Sequence, residues 1–127
     1  MSEATYTSVA IYAGPLSIHQ GREISVRQQV DRCWNYSNQR GWRVATIFVD
    51  QRKTESLVKR ANFRNMLKEA RKGIFAIIVF CSLEYLCGSQ ADLLVAERSI
   101  RKSRVAFRNA MRIGGHMLGG FYKQRRD

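Results

Sequence analysis

Two kinds of apolar spacing alternate along this chain, and their order is the strongest constraint on its fold. Runs of consecutive β-branched and aromatic residues are separated by segments in which apolar residues recur at helical spacing. Uninterrupted apolar runs are typical of strands covered on both faces, and helical spacing is typical of helices with one buried face. The predicted strands are SVAIYA (8–13), VATIFVD (44–50), IFAIIVF (74–80) and RVAFR (104–108).

Each of the three segments between these strands has one predicted inner face. The inner faces are Val26, Val30, Cys33, Trp34 and Ser37 in the first helix, Phe63, Met66, Leu67 and Ala70 in the second, and Leu93, Ala96 and Ile100 in the third. The first helix is expected to stop near Gly41 and the second at Gly73. Alternating strands and helices predict an α/β fold of three layers, with a mostly parallel central sheet of about four to five strands and helices on both faces.

Ligand sites on parallel sheets lie beyond the carboxyl ends of the strands. The loops after Ala13, Asp50 and Phe80 are therefore where we expect a site. The first of these loops has no GxGxxG motif and no P-loop lysine, which disfavours a dinucleotide or nucleoside triphosphate ligand.

The length of 127 residues, 45% of them apolar, predicts a single domain. We expect an α/β core over residues 1–108 and a short basic, glycine-rich helix or tail over residues 109–127. No apolar run approaches the roughly 20 residues that span a bilayer, and the N-terminus lacks the pattern of a signal peptide. These features predict a cytoplasmic protein without membrane contact, with association to the nucleoid as one option.

The charge is strongly positive and unevenly placed. The chain has 22 Lys and Arg residues against 10 Asp and Glu residues, a net charge of +12. Nine of the basic residues lie in residues 98–126, a stretch without any acidic residue. Such a stretch favours a polyanionic partner, most simply DNA and otherwise RNA. The alternative is a solvated basic face without a specific partner.

Cysteine and histidine residues do not indicate a metal or cofactor site. Cys33, Cys81 and Cys87 form no CxxC pair, and His19 and His116 are isolated in the sequence. We predict reduced, buried cysteines, no metal and no cofactor.

Several short motifs resemble, in order and spacing, the catalytic domain of serine recombinases, the resolvase/invertase family. They are Val9-Ala10-Ile11-Tyr12-Ala13, Gln20, the spaced set Ser25, Gln29, Cys33, Tyr36, Gly41 and Trp42, then Asp50, Arg60-Ala61-Asn62-Phe63, Leu83-Glu84-Tyr85-Leu86, Arg112-Ile113 and His116-Met117-Leu118-Gly119-Gly120-Phe121. The resemblance covers most of the chain and implies a resolvase-like fold. It also implies phosphoryl transfer on DNA by a serine nucleophile, without metal or ATP.

The sequence departs from the family at the positions that carry this chemistry. The family has R-x-S after the first strand, an arginine before the second helix and D-R-L-x-R after the third strand. The corresponding residues here are Gly14 and Leu16, then Arg60, then Glu84, Tyr85 and Gly88. Leucine cannot attack a phosphate, and Arg60 is the one main arginine that remains, so the resemblance predicts a catalytically inactive member.

We therefore expect a protein that binds nucleic acid largely without sequence preference, dimerises, and regulates DNA recombination or transcription of a mobile element. Its predicted nucleic-acid contacts are Arg60, Arg101, Lys102, Arg104, Arg108, Arg112, Lys123, Arg125 and Arg126. Its predicted dimer contacts, with a second copy or with an active recombinase, are Leu93, Met111, Met117, Leu118 and Phe121. One alternative is a protein-interaction module that binds an active recombinase or another acidic protein. The other is an active serine recombinase whose nucleophile is Ser17.

Overall fold

A single sheet of parallel strands organises the fold. The computed structural model describes residues 6–16, 24–52 and 56–111. Its strands are β1 (Ser8–Ala13), β2 (Arg43–Val49), β3 (Ile77–Phe80) and β4 (Ala106–Asn109), in the order β2-β1-β3-β4 and parallel at every pairing. The predicted α/β fold with a parallel sheet is confirmed, with four strands among the described residues.

Helices cover both faces of this sheet. They are α1 (Val26–Gln39), α2 (Ala61–Ala70), the single turn α3 (Leu83–Leu86) and α4 (Gln90–Lys102), with a 3-10 turn at Leu57–Lys59. Alternate residues of β1 point to opposite faces: Val9 and Ile11 pack with Cys33 of α1, whereas Ala10 and Tyr12 pack with α2 and α4. This is why the strand is apolar at every position.

The inner face of α1 agrees with the prediction at Cys33 and Ser37 but not at Trp34. The buried residues are Gln29, Cys33 and Ser37, whereas Trp34 is 42% exposed. Each residue advances about 100° around a helix. Including Trp34 among the apolar residues therefore shifts the predicted inner face by about one position from the buried face observed. Polar side chains can be buried here because both are hydrogen-bonded: the Ser37 hydroxyl donates to the Cys33 carbonyl at 2.8 Å, and Gln29 bonds to the first loop.

The ends of the elements follow the glycine positions. Gly41 and Gly73 have φ values of 74° and 77° after α1 and α2, as predicted for residues that end helices. The third strand starts at Ile77, later than predicted, and Ile74 is 46% exposed. Residues 112–127, which include most of the predicted tail, lie outside the described residues. No helix in the described part of the chain is long and apolar enough to cross a membrane.

Candidate functional site

Four buried polar side chains gather at the carboxyl end of the sheet. Tyr12, Asp50, Arg60 and Glu84 are all less than 9% exposed. Tyr12 lies near the end of β1, and Asp50 follows β2. Arg60 precedes α2, and Glu84 lies in α3, the turn that follows β3. The site is therefore where parallel sheets are expected to hold one, and we call these residues the carboxyl-end cluster.

Asp50 connects the second strand to the start of α2. Its carboxylate accepts hydrogen bonds from the backbone N–H groups of Asn62 at 2.9 Å and Phe63 at 3.0 Å, and from the Tyr12 hydroxyl at 2.7 Å. Arg60 stands at the N-cap position but makes no capping bond with its side chain. A negative charge at a helix N-terminus is favourable, so Asp50 caps α2 in its place.

Arg60 is the largest fully buried side chain of the described residues, with 1% of its surface exposed. Its guanidinium lies beside Gly14: a Cβ atom on Gly14 would be 2.9 Å from Arg60 Nη1 and 3.0 Å from the Tyr12 hydroxyl. None of its three nitrogens has a hydrogen-bond partner among the described residues. The structure therefore does not place Arg60 at the surface, where it was predicted to contact nucleic acid. Its long side chain points inward, into space that is free because residue 14 is a glycine.

The ionisation of Tyr12 reflects these neighbours. Burial first, and then the hydrogen bond to Asp50, raise the pKa of the Tyr12 hydroxyl well above its ordinary value, while the Arg60 guanidinium acts in the opposite direction. Tyr12 is thus held as a neutral hydrogen-bond donor.

The first loop is held by a buried amide. Gln29 Nε2 donates to the Gly14 carbonyl at 2.7 Å and to the Ile24 carbonyl at 3.2 Å, and its Oε1 accepts from the Gly14 N–H at 3.3 Å. Leu16, at the position where the family resemblance expects a nucleophile, is half-buried and packs against the apolar cores on both faces of the sheet. Ser17 and Gln20 lie outside the described residues.

The third loop is also turned toward the interior. Glu84 and Tyr85 of α3 are 8% and 6% exposed. Gly88 is exposed, and its N–H donates to Asp92 Oδ2 at 3.1 Å. Asp92 also accepts from the Ser56 hydroxyl at 3.0 Å, so one carboxylate joins the second loop to the third.

Four of the predicted nucleic-acid contacts are brought to one surface. Arg101, Lys102, Arg104 and Arg108 are all exposed, at the end of α4 and along β4. We call them the α4–β4 basic surface; Arg101 and Arg108 also line an open groove of about 400 Å³ between these two elements. The other predicted surface contacts, Arg112, Lys123, Arg125 and Arg126, lie outside the described residues.

The structure describes two of the five predicted dimer contacts, and these two belong to different apolar clusters. Leu93 is 4% exposed and packs in the core, and Met111 is half-buried against the sheet with its sulfur 3.3 Å from Cys81 Sγ. Met117, Leu118 and Phe121 lie outside the described residues. Two residues that were not among the predicted contacts, Leu94 and Val95, are 54% and 44% exposed on α4. The inner-face spacing of Leu93, Ala96 and Ile100 already turns these two residues outward.

The three cysteines are free and buried, as predicted. Burial raises the pKa of all three thiols, and that of Cys87 to about 12. They are therefore protonated and chemically inert at neutral pH. In the described ranges, no group of three or more His, Cys, Asp or Glu side chains is placed to hold a metal ion.

Comparisons with known proteins agree with this geometry. Residues 10–114 match the family model "Resolvase, N terminal domain". Among solved structures, the N-terminal catalytic domain of TP901-1 integrase is similar, with a TM-score of 0.69 and 21% identity over 82% of this chain and 78% of that chain. A resolvase family site-specific recombinase from Streptococcus pneumoniae has a TM-score of 0.63 and 15% identity over 82% of this chain and 72% of that chain.

The C-terminal catalytic domain of ISC1926 TnpA, an IS607-like serine recombinase, is also similar, with a TM-score of 0.64 and 14% identity over 90% of this chain and 77% of that chain. No curated protein gives a significant match. At these identities the solved structures establish the fold alone.

Proposed function

The chain belongs to the resolvase family, and from that premise we propose that it binds nucleic acid without cleaving it. The observation that carries this proposal is the arrangement of Gly14, Leu16 and Arg60. Leu16 places an apolar side chain where a nucleophile is expected, and the guanidinium of Arg60 is buried beside Gly14. A serine attack on phosphate needs both a hydroxyl group and accessible fixed positive charge, and these three positions offer neither.

A strand-cleavage assay tests the inactivity. Incubation with supercoiled plasmid, followed by denaturing electrophoresis, is expected to give no covalent protein–DNA adduct. The Ser17→Ala variant is the control for the alternative of an active recombinase. An adduct formed by the unmodified chain and lost in Ser17→Ala would establish that alternative and overturn our proposal.

Binding itself is proposed to occur through the α4–β4 basic surface. Contacts to phosphates carry no base information, so we expect little sequence preference. If its four cations each neutralise one phosphate of duplex DNA, they contribute roughly −3.6 to the slope of log K against log salt. Replacing all four with alanine should therefore flatten the measured slope by about 3 to 4. Fluorescence anisotropy of a labelled duplex between low and moderate salt measures this change.

A charge-matched variant separates a defined surface from net charge. Arg27, Arg32, Arg64 and Lys68 are exposed on α1 and α2, and their replacement by alanine removes the same four charges. This control should keep most of the slope. Equal flattening in both variants would show that binding follows total charge alone, and an absence of duplex binding even at low salt would contradict the proposal.

A second candidate function, a protein-interaction module, is favoured by the exposure of Leu94 and Val95. Adjacent exposed aliphatic side chains on a helix are suited to contact with another chain, either a second copy or an active recombinase. In this form the protein would regulate DNA recombination or transcription of a mobile element by joining a complex.

The oligomeric state tests that role. Sedimentation velocity is expected to show a dimer whose dissociation constant rises at least about tenfold in Leu94→Glu/Val95→Glu, because a buried interface charge without a partner is costly. The exposed α1 variant Trp34→Glu provides a control at a surface of similar apolar character. This candidate would be excluded if the protein stayed monomeric at all accessible concentrations and also failed to bind an active recombinase.

A further inference from the structure

The amino-terminal end of the sheet, opposite the carboxyl-end cluster, has its own group of positively charged residues. In a parallel sheet, the starts of the strands and the C-terminal ends of the connecting helices lie at the same end of the sheet. Apart from the α4–β4 basic surface, the exposed cations near this amino-terminal end are Arg40, Arg43, Arg71 and Lys72. Among the described residues, Lys72 of this set pairs with Glu69 at 3.2 Å, and the two arginines at the β2 corner have no described ion pair.

Aromatic rings accompany the arginines at this corner. The Arg40 guanidinium lies 3.6 Å from the centre of the Tyr36 ring and 5.9 Å from that of Trp42. Arg43, the first residue of β2, lies 5.5 Å from the centre of the Tyr6 ring, which is 57% exposed. We call these five residues the aromatic–arginine patch.

The two parts of the patch meet at the start of β2, where Trp42 directly precedes Arg43. Tyr36 and Trp42 also pack with one side against the core on the α1 face of the sheet. Tyr6 precedes β1 and Arg43 begins β2, and these strands are neighbours in register from Ser8 opposite Arg43. The Arg43 N–H donates to the Thr7 carbonyl at 2.8 Å, which fixes the two strand starts side by side. The Tyr36 and Trp42 rings pack edge to face, with their centres 5.9 Å apart.

Helix stability does not account for this arrangement. A cation at a helix C-terminus offsets the helix dipole within the last turn, which explains Arg40 but not Arg43 or the exposed ring of Tyr6. Residues 32–49 contain no acidic residue, so the arginines face rings instead of carboxylates. Arg40 Nη1 also donates to the Tyr36 carbonyl at 3.4 Å. Among the described residues no carboxylate pairs with either arginine, so none competes there with an anion from outside.

Rings and guanidinium groups together match unpaired nucleotides. Bases stack on aromatic side chains and on arginine planes, while the phosphates between them are attracted to cations. In a duplex the faces of the bases are covered by their neighbours, so such a patch favours a single strand.

We propose that the aromatic–arginine patch binds single-stranded nucleic acid by base stacking. The inference rests on the proposed nucleic-acid binding for the class of ligand, but it uses a different surface and a different form of the ligand. The α4–β4 basic surface would hold duplex phosphates, and this patch would hold exposed bases, as at a melted or nicked DNA segment.

Tryptophan fluorescence tests the stacking directly. The chain has two tryptophans, so Trp34→Phe leaves Trp42 as the reporter and Trp42→Phe leaves Trp34. Titration with a thymidine 20-mer should quench Trp42 and leave the 42% exposed Trp34 largely unchanged. Equal quenching of both reporters, or none, would overturn the proposal. Far-UV circular dichroism verifies that both variants are folded.

Affinity measurements with matched variants complete the test. Arg40→Ala/Arg43→Ala should weaken binding of the thymidine 20-mer by about tenfold, with a smaller effect on a 20-base-pair duplex. Arg27→Ala/Arg64→Ala removes the same two charges at exposed positions outside the patch and should leave single-strand binding within about twofold. Equal losses in both variants, or displacement of the 20-mer by an equal charge of polyglutamate, would assign the patch to general anion attraction and overturn the proposal.

These outcomes are independent of the proposed duplex binding. If the duplex does not bind but the 20-mer quenches Trp42, the proposed function fails and this inference stands. If the duplex binds with the expected salt slope while Trp42 is unaffected by the 20-mer, only this inference fails.

Discussion

Replacing Asp50 with alanine is expected to lower the free energy of unfolding by about 3–5 kcal/mol, because three hydrogen-bond donors lose one buried, charged acceptor. The carboxylate is 7% exposed and accepts three hydrogen bonds, one from Tyr12 and two from the first turn of α2. Its loss leaves these three donors without their charged acceptor in the interior. Equilibrium unfolding in urea, followed by circular dichroism, measures the change.

Two variants isolate the cause of that loss. Asp50→Asn keeps one accepting oxygen and should lose less, about 1–3 kcal/mol. Asp92→Ala removes a carboxylate that also accepts several hydrogen bonds, from Ser56, Leu57 and Gly88, but at a half-buried position. We expect about 1–2 kcal/mol there. If Asp50→Ala cost no more than Asp92→Ala, burial of the Asp50 carboxylate would not add to the stabilisation that its hydrogen bonds provide.

Alkaline pH is expected to destabilise the fold strongly. Burial raises the pKa of the Cys33 and Cys87 thiols, that of Cys87 to about 12, whereas the same thiols ionise near pH 8.5 in an unfolded chain. Above about pH 8.5 the unfolded state therefore binds fewer protons than the native state, so the stability present below that pH declines as the pH rises toward the native values. Each thiol contributes up to about 1.4 kcal/mol per pH unit once the pH exceeds its unfolded-state pKa, which amounts to about 3 kcal/mol for the two between pH 8.5 and pH 10.

Urea unfolding at pH 7.5, 8.5, 9.25 and 10, with a reducing agent present, measures this slope. The matched variant is Cys33→Ala/Cys87→Ala, which is less stable at neutral pH because it leaves small cavities but should lose much less stability between pH 8.5 and 10. Parallel pH profiles for the two proteins would show that other groups govern the alkaline transition. The Tyr12 hydroxyl, whose ordinary pKa is about 10, contributes little within this interval.

The sequence predicted the parts of the fold that depend on local apolar spacing. Phe63, Met66, Leu67 and Ala70 are all buried on α2, because their spacing and their burial arise from the same helical period. The glycines after α1 and α2 were also recognised, since a positive φ is a local requirement.

The sequence could not predict contacts that depend on distant parts of the chain. Arg60 was expected at the surface because arginine is seldom buried, and its burial depends on Gly14, 46 positions away in the sequence. Likewise, nothing local to Asp50 shows that it caps a helix that begins at Ala61. The exposure of Trp34 follows from the burial of Gln29, whose amide group is hydrogen-bonded to the loop after β1. Apolar spacing cannot indicate that a glutamine is buried.

The close approach of Arg60 to Gly14 makes the departure from the family pattern difficult to reverse. An arginine at position 14 would have its Cβ atom 2.9 Å from Arg60 Nη1, so the guanidinium group of Arg60 would have to shift to make room for it. Recovery of the site would require Arg60 to leave the interior and Leu16 to be replaced as well. A laboratory selection for strand cleavage from this chain would therefore need several substitutions, and an arginine at position 14 alone would displace a buried side chain without supplying a nucleophile.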